Sequence, residues 1–260
     1  MNNGAERVVC ITGATSGIGR ALAKELAARG FSLILTGRRE EQLREVAETL
    51  PVATELFLGD LRIPEVCHNL SERLGQYTNL QGFVHNAGYG LQEPFTSSSV
   101  ADLRSMGELH VQCTAELVQV AINRVQPGGI IMLVSSLASF LPAPGPAMYT
   151  ATKTFQTALG RALQPELIRR DIRLMVLCPG FTHTDFHDRL GWSAERRLSR
   201  GLVRWMRADV VAQRAVKRVL RQSVWSDPIY VPGFSNKVLR ALSLVLPRRI
   251  YLYLVRSFSF

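Results

Sequence analysis

Three side chains in the middle of the chain, Ser136, Tyr149 and Lys153, could together polarise a carbonyl group and move a proton. Tyr149 and Lys153 are four residues apart, a spacing that places both on one face of an α-helix. An ammonium group beside a phenol favours the phenolate and lowers a pKa that is ordinarily about 10. Such a tyrosine is suited to acid–base work near neutral pH. Ser136 follows the apolar run 130–134, which predicts a buried strand with the hydroxyl at its tip.

A tyrosine–lysine pair alone is common on helix surfaces, but the amino-terminal segment adds the pattern of a nucleotide site. The apolar run 8–12 is followed by the glycine-rich stretch 13–19 and an amphipathic segment, which predicts strand, turn and helix. Gly13 permits a sharp turn, Gly17 lets backbone approach a pyrophosphate, and Gly19 lets the helix pack closely on the sheet. The helix amino terminus then offers N–H donors to the phosphates. The spacing is G-x3-G-x-G, unlike the better-known G-x-G-x-x-G fingerprint.

Together these regions resemble the short-chain dehydrogenase/reductase family. The matching residues, in the family's order and spacing from about residue 7 to residue 185, are Thr12-Gly13-x3-Gly17-x-Gly19, His85-Asn86-Ala87-Gly88, Ser136, Tyr149-x3-Lys153, and Pro179-Gly180 followed by Thr184. The resemblance implies an α/β, single-domain Rossmann fold, a doubly wound parallel sheet with helices on both faces. It also implies an NAD(P)H-dependent oxidoreductase that reduces a ketone, aldehyde or 3-oxoacyl group to an alcohol by hydride transfer.

The resemblance further implies a role for each matching residue. Tyr149 is expected to exchange the proton, Ser136 to polarise the carbonyl, and Lys153 to bind the ribose and lower the pKa of Tyr149. Asp60 is expected to accept a hydrogen bond from the adenine amino group. The full set expected at the cofactor is Gly13, Thr15, Ser16, Gly17, Ile18, Gly19, Arg38, Asp60, Leu61, Asn86, Ala87, Gly88, Tyr149, Lys153, Pro179, Gly180, Thr182 and Thr184.

The end of the second strand indicates which cofactor is used. Gly37 stands where an NAD-binding chain would carry a carboxylate for the ribose hydroxyls, and Arg38 follows it. A carboxylate there would repel a 2′-phosphate, whereas a guanidinium pairs with it. NADPH or NADP is therefore expected rather than NAD. The alternative is that Arg38 and Arg39 are solvated loop charges.

One position departs from the family pattern. Many relatives carry an asparagine that helps to hold a water relaying protons from the lysine to solvent, and here the corresponding stretch is Leu109-His110-Val111. An imidazole can also hold water and carry a proton near pH 7, so His110 is a candidate catalytic residue. The alternative is a buried polar residue satisfied by backbone.

Alternating strand and helix patterns predict one parallel sheet covered on both faces. The chain has 260 residues, 47% of them apolar, enough for one sizeable core. We expect one domain over 1–260, with the cofactor half at 1–110, the catalytic half at 111–260, a substrate lid at about 181–207 and a basic extension at about 234–260. Further predicted strands are 33–36, 55–58, 82–85, 130–134, 173–177 and 229–231; the clearest predicted helices are 18–29, 40–50, 101–124, 149–169 and 209–221.

The cysteines and histidines indicate no metal site. Cys10, Cys67, Cys113 and Cys178 lack zinc-type spacing, and buried free thiols in a reducing compartment are expected. His183, Asp185 and His187 would make a poor metal site; the two histidines, with Phe181, Phe186 and Trp192, are candidate walls of a substrate pocket. The amino terminus lacks a signal-peptide pattern, and the expected location is the cytoplasm.

The positive charge is concentrated at the carboxyl end. Residues 189–260 contain 15 Lys/Arg and 3 Asp/Glu, whereas residues 1–188 contain 16 and 18. A basic lid would attract an anionic substrate such as an acyl thioester, and a lipophilic ketone is the other substrate class. The basic, Leu-rich tail suggests peripheral contact with an anionic membrane, or else a helix packed on the domain or a second subunit. No nucleic-acid motif accompanies the charge.

Two classes of function remain after this reading. The first is an NADPH-dependent carbonyl reductase, a homodimer or homotetramer by resemblance. The second is a non-catalytic nucleotide-sensing or membrane-associated protein on the same fold. The intact set of Ser136, Tyr149 and Lys153 favours the enzyme, because a sensor needs no proton donor there.

Overall fold

The computed structural model describes residues 7–142, 145–191, 198–199, 201–247, 249–251 and 253. Seven strands form one parallel sheet in the order β3-β2-β1-β4-β5-β6-β9, and β7 pairs with β8 in a small second sheet. The strands are β1 Val8–Ile11, β2 Ser32–Gly37, β3 Thr54–Leu58, β4 Leu80–His85, β5 Val125–Val134, β6 Arg173–Leu177, β7 Thr182–His183, β8 Met206–Arg207 and β9 Ile229–Tyr230. The strand order reverses between β1 and β4, where doubly wound sheets bind ligands.

Helices connect the strands and cover both faces of the sheet. They are α1 Gly17–Ala27, α2 Glu40–Glu48, α3 Pro64–Gly75, α4 Val100–Gly107, α5 Cys113–Ile122, α6 Ala147–Arg169, α7 Asp185–Arg189, α8 Ala208–Val219 and α9 Phe234–Val245. The expected α/β Rossmann architecture is confirmed.

Alternation along the strands explains the two-sided core. In β5, Ile131 and Leu133 belong to the core layer under α3, α5 and α6, whereas Ile130 and Met132 belong to the layer under α1, α2 and α8. Both faces are apolar because both are covered, so the central strands read as continuous apolar runs. The four cysteines are free and buried, as the spacing predicted.

The helix predicted over 101–124 is not a regular α-helix. It contains a π-helical turn, Glu108–Gln112, between α4 and α5, where the N–H of Cys113 bonds to the carbonyl of Glu108. Such turns frequently mark functional sites, and this one carries His110.

The carboxyl-terminal part forms α8, β9 and α9. Among the described residues, every helix is either too short or too polar to cross a lipid bilayer. Trp192 and most of the segment 192–200 lie outside the described residues.

Candidate active site

The glycine-rich loop lies between β1 and α1, at the carboxyl edge of the sheet. Gly17 has φ +56°, a backbone conformation that glycine adopts without strain. A Cβ at Gly19 would lie 2.2 Å from the carbonyl oxygen of Gly13, so only glycine fits there. Asn86 fixes the loop from the end of β4, because its Nδ2 donates to the carbonyls of Thr12 (3.1 Å) and Gly13 (2.9 Å).

Ser136 and Tyr149 meet next to this loop. Ser136 lies two residues after the end of β5, and Tyr149 lies in the first turn of α6. Burial raises the pKa of Tyr149 to about 12, although the nearby Ser136 hydroxyl lowers it. Tyr149 therefore carries its proton at neutral pH.

Lys153 lies one turn further along α6 and is almost completely buried, with 4% of its surface exposed. Its Nζ donates to the carbonyl of Val134 (2.9 Å) and to Oε1 of Gln156 (3.0 Å). Burial lowers the pKa of Lys153 to about 7. The Nζ atom is 5.8 Å from the centroid of the Tyr149 ring.

The expectation that Lys153 lowers the pKa of Tyr149 is not met in this arrangement. The two residues share a helix face as predicted, but the ammonium is directed at the Val134 carbonyl and Gln156. Burial therefore dominates the pKa of the phenol. A group that must give a proton to a carbonyl needs that protonated state.

His110 is fully buried and both of its ring nitrogens have partners. Nε2 is 3.1 Å from the Tyr89 backbone N–H and accepts from it. Nδ1 is 2.9 Å from the Thr152 hydroxyl, which itself donates to the Tyr149 carbonyl, so Nδ1 carries the proton. Burial, and then Lys153, lower the pKa of His110 well below 6.5. This geometry favours the alternative in which His110 is a neutral residue satisfied by its neighbours.

Asp60, expected at the adenine, is paired with arginine. Arg62 donates to both of its carboxylate oxygens, at 3.0 Å to Oδ1 and 2.6 Å to Oδ2, and Arg38 lies 3.3 Å from Oδ2. Burial raises the pKa of Asp60, but these guanidinium groups outweigh it and bring it to about 2. Sequence reasoning missed Arg62, and Leu61 beside it is buried. Arg38 is tied to Asp60 rather than fully solvated.

The segment after β6 reaches the glycine-rich loop from the other side. Pro179 and Gly180 lead into β7, where Thr182 is buried. A Cβ at Gly17 would lie 3.0 Å from the Thr184 methyl carbon. The Thr184 hydroxyl accepts from the Phe186 N–H (3.3 Å) and so begins α7. The expected cofactor residues therefore converge at one edge of the sheet.

An aromatic cluster borders Tyr149. The Phe186 ring lies 5.6 Å from the Tyr149 ring, and His187 lies 5.2 Å from Phe186. Trp205 contacts both Phe181 (5.2 Å) and His187 (4.6 Å). Sequence reasoning missed Trp205, which lies beyond the segment around Trp192. No cluster of metal-ligating side chains is present within the described ranges.

A buried polar network behind Lys153 was also not foreseen. Gln156 donates to Thr114 Oγ1 (3.1 Å) and to the His110 carbonyl (3.3 Å). Thr114 Oγ1 lies 2.9 Å from Nε2 of His85. Burial lowers the pKa of His85 to about 3. The available signal was spacing, since Gln156 follows Lys153 by three residues on one helix face.

Comparison with known proteins identifies the family. The family profile of the short chain dehydrogenases matches residues 7–193. The chain belongs to this family. It is 32% identical over 186 residues to sulfoacetaldehyde reductase 2 of Chromohalobacter salexigens, covering 69% of this chain and 74% of that protein. It is 28% identical over 196 residues to an uncharacterised oxidoreductase of Staphylococcus epidermidis, covering 74% of this chain and 85% of that protein.

Solved structures of short-chain dehydrogenases share the fold. A short-chain dehydrogenase from Sphingobium yanoikuyae in complex with NADPH superposes with a TM-score of 0.78 at 24% identity, covering 93% of this chain and 97% of that chain. A 3-oxoacyl-[acyl-carrier protein] reductase from Brucella melitensis in complex with NAD gives 0.79 at 22% identity, covering 94% and 100%. The relatives thus include proteins that bind either nicotinamide cofactor.

The lowered pKa of His110 predicts a pH dependence of stability. Below about pH 6.5 the unfolded chain takes up this proton while the folded protein does not, so folding loses stability as the pH falls. We expect His110→Asn to make this loss shallower by up to about 1.4 kcal/mol per pH unit between pH 6.5 and 5. Urea unfolding across this range measures the slope, and the exposed His68→Asn is the control. An unchanged slope in His110→Asn would mean that the folded protein also protonates this imidazole.

Proposed function

We propose that this protein reduces a carbonyl group of a largely apolar molecule to an alcohol, with NADPH as the reductant. The observation that carries the proposal is the position of the Ser136 hydroxyl, just after β5, next to Tyr149 in the first turn of α6, beside the glycine-rich loop. Two hydroxyl donors at one point can hold a carbonyl oxygen and stabilise the negative charge that grows on it. Membership of an oxidoreductase family supports the same chemistry.

In this mechanism the protein supplies the proton and the orientation. NADPH, when bound, supplies a hydride for the carbonyl carbon. Tyr149 donates its phenolic proton to the carbonyl oxygen, and Ser136 keeps a hydrogen bond to that oxygen throughout. The raised pKa of Tyr149 keeps the proton in place until charge develops on the substrate.

Lys153 is suited to hold the ribose of the nicotinamide nucleotide. An ammonium group has three donors; Val134 and Gln156 take two of them, and the third is available to a ribose hydroxyl. Gly88 lies directly beside this group, since a Cβ there would be 3.3 Å from Nζ. The absence of a side chain at Gly88 thus leaves room next to the lysine.

Arginines around the loop support NADPH over NADH. Arg39 donates to the Thr15 hydroxyl (3.2 Å), and Arg189 lies 3.5 Å from the Ser16 hydroxyl. With Arg38 they place three guanidinium groups near the end of β2, where Gly37 offers no carboxylate to repel a 2′-phosphate. The similar structure from Sphingobium yanoikuyae contains NADPH.

The substrate pocket is proposed to be aromatic on one side and basic at its rim. Phe186 contacts Tyr149, and Phe181, His187 and Trp205 extend the same aromatic cluster. This surface suits a lipophilic ketone or an acyl chain, while the positive charge after residue 189 favours an anionic group at the far end. We further propose a homodimer or homotetramer.

The outer surface of α9 favours a second property, contact with an anionic membrane. Large apolar side chains are exposed on and after this helix: Phe234 (82%), Leu244 (73%), Val245 (75%) and Tyr253 (73%). An adjacent groove of about 360 Å³ is lined by Arg218, Lys237, Arg240 and Leu244. Apolar and cationic groups on one surface match the two layers of an anionic bilayer interface.

The first prediction tests the proton donor. We expect Tyr149→Phe to lower kcat about 10²–10⁴-fold, because the hydroxyl is lost while the ring remains, and to leave NADPH affinity nearly unchanged. NADPH oxidation at 340 nm with ketones, aldehydes and 3-oxoacyl thioesters measures the rate. Tyr77→Phe is the control, since that hydroxyl bonds to Glu55 on the third strand. Undiminished turnover in Tyr149→Phe would refute the proposed role.

The second prediction tests cofactor choice. We expect Arg38→Asp to reduce the NADPH-to-NADH ratio of kcat/KM about 10–100-fold, the value of a charge-assisted hydrogen bond of about 1.5–3 kcal/mol. Arg44→Asp, on the exposed face of α2 and paired with Glu40, should leave that ratio unchanged. Equal selectivity in the wild type and Arg38→Asp would disprove the assignment of Arg38 to the 2′-phosphate.

The third prediction tests the α9 surface. We expect the protein to co-sediment with vesicles containing phosphatidylglycerol but not with pure phosphatidylcholine vesicles, and less so as salt increases. Leu244→Asp should abolish sedimentation, whereas Val100→Asp, equally exposed on α4 (71%), should not. If the wild-type protein stays in solution at low salt, the α9 surface does not bind membranes. If Leu244→Asp is monomeric and the wild type is oligomeric, the α9 surface is instead a contact with a second copy of the chain.

A further inference from the structure

Among the described residues, Gln156 provides the side chain that hydrogen-bonds to the Nζ atom of Lys153. It is fully buried, and its Oε1 accepts from the ammonium at 3.0 Å. Its amide nitrogen donates to Thr114 Oγ1 and to the carbonyl of His110. Every polar atom of this side chain is therefore used, and the amide plane is fixed on three sides.

His110 cannot take this part in the same arrangement. Its Nε2 accepts from the Tyr89 N–H and its Nδ1–H bonds to Thr152, so neither nitrogen has a lone pair left to accept from the ammonium. Its backbone carbonyl, in the π-helical turn, instead orients the Gln156 amide. The side chain that reaches the ammonium is thus Gln156, whose amide the His110 carbonyl orients.

The donors and acceptors around Gln156 are consistent with a single assignment. Lys153 donates to Gln156 Oε1, and Gln156 donates to Thr114, whose hydroxyl donates to the His110 carbonyl. Thr114 then accepts from Nε2–H of His85 as well. An amide oxygen accepts a hydrogen bond but does not pass a proton on in the physiological pH range. This link therefore holds the ammonium and does not relay its proton.

We propose that Gln156 is a positioning residue that holds the Lys153 ammonium in place and maintains its positive charge inside the protein, in place of a water-mediated link. The proposal rests on the role given to Lys153 above. The other titratable groups facing this ammonium are Tyr149 on α6, His85 on β4, His110 in the π-helical turn and Cys178 after β6. Burial raises the pKa of Cys178 to about 11 and lowers those of the two histidines, so all four are uncharged near pH 7 and the two oxygens at Val134 and Gln156 carry the interaction.

The test compares Gln156→Met and Gln156→Glu with the wild type by urea unfolding from pH 5.5 to 9.5. Removing an acceptor disfavours the ammonium, so Lys153 should lose its proton at a pH about one unit lower in Gln156→Met. At a pH between the Lys153 pKa of the variant and that of the wild type, Lys153 is protonated only in the folded wild type. The stability deficit of Gln156→Met therefore grows as the pH falls through about 7. Gln156→Glu restores and strengthens the acceptor, and it should gain stability relative to the wild type as the pH falls toward 7.

Gln164→Met is the matched control. Gln164 also lies on α6, and the substitution removes its hydrogen bond to the Ser226 carbonyl. Its deficit should be independent of pH. A deficit of Gln156→Met that is equally flat would overturn the proposal, as would trends of the same sign in Gln156→Met and Gln156→Glu. If Gln156→Met does not fold, the comparison of Gln156→Glu with the wild type decides, since only a link to the charge of Lys153 gives it a pH-dependent gain.

The pH profile of kcat/KM is the second readout and separates the two proposals. The alkaline limb should move to lower pH in Gln156→Met and to higher pH in Gln156→Glu. The unfolding experiment needs neither cofactor nor substrate. If the stability deficit of Gln156→Met depends on pH but the protein reduces no carbonyl, the role of Gln156 is supported and the proposed function is rejected. If the protein reduces a carbonyl but the deficit is independent of pH, the proposed function is supported and the role of Gln156 is rejected.

Discussion

The buried ammonium group of Lys153 constrains the structure around it more than any other single group. A charge removed from water is costly unless it is hydrogen-bonded, and here only 4% of the residue is exposed. The last carbonyl of β5, at Val134, supplies one acceptor and Gln156 supplies another. Both hydrogen bonds require α6 to pack across the end of β5 in one orientation about its axis. That orientation also brings Tyr149 to Ser136, so the hydrogen bonds of the lysine and the placement of these two hydroxyl groups depend on the same packing.

Hydrogen bonds extend this constraint to the glycine-rich loop. The Thr12 hydroxyl accepts the backbone N–H groups of Asn86 and Ala87, which joins the ends of β1 and β4. His85, next to Asn86, bonds to Thr114, and Thr114 bonds to Gln156. Fully satisfied buried networks specify one arrangement and tolerate little rearrangement. The glycine-rich loop and Lys153 are therefore held in fixed relation by Thr12, just after β1, and by side chains from β4, α5 and α6.

The sequence allowed the fold to be predicted and named side chains that the structure brings close together, and the limits of this prediction have physical causes. Apolar runs located the central strands because both faces of a parallel sheet are buried. Spacing placed Tyr149 and Lys153 on one helix face, but it could not show where the end of a long lysine side chain points. That end is set by the Val134 carbonyl, distant in sequence. For the same reason Arg62, Trp205 and the π-helical turn at His110 were missed, since each depends on contacts between separate elements.

The charged groups around the glycine-rich loop, unlike Lys153, include several cations close together. Asp60 is held by Arg62 through both oxygens, which leaves Arg38 with only a single, longer contact to the same carboxylate. Arg189 forms an ion pair with Asp185. The pKa of Arg189 is nevertheless lowered, first by burial and then by Arg39. Guanidinium groups that repel one another in this way gain free energy from a multiply charged anion between them. The protein thus neutralises the one carboxylate at the end of β3 and keeps an excess of positive charge beside the loop, which is the electrostatic condition that a phosphorylated nucleotide requires.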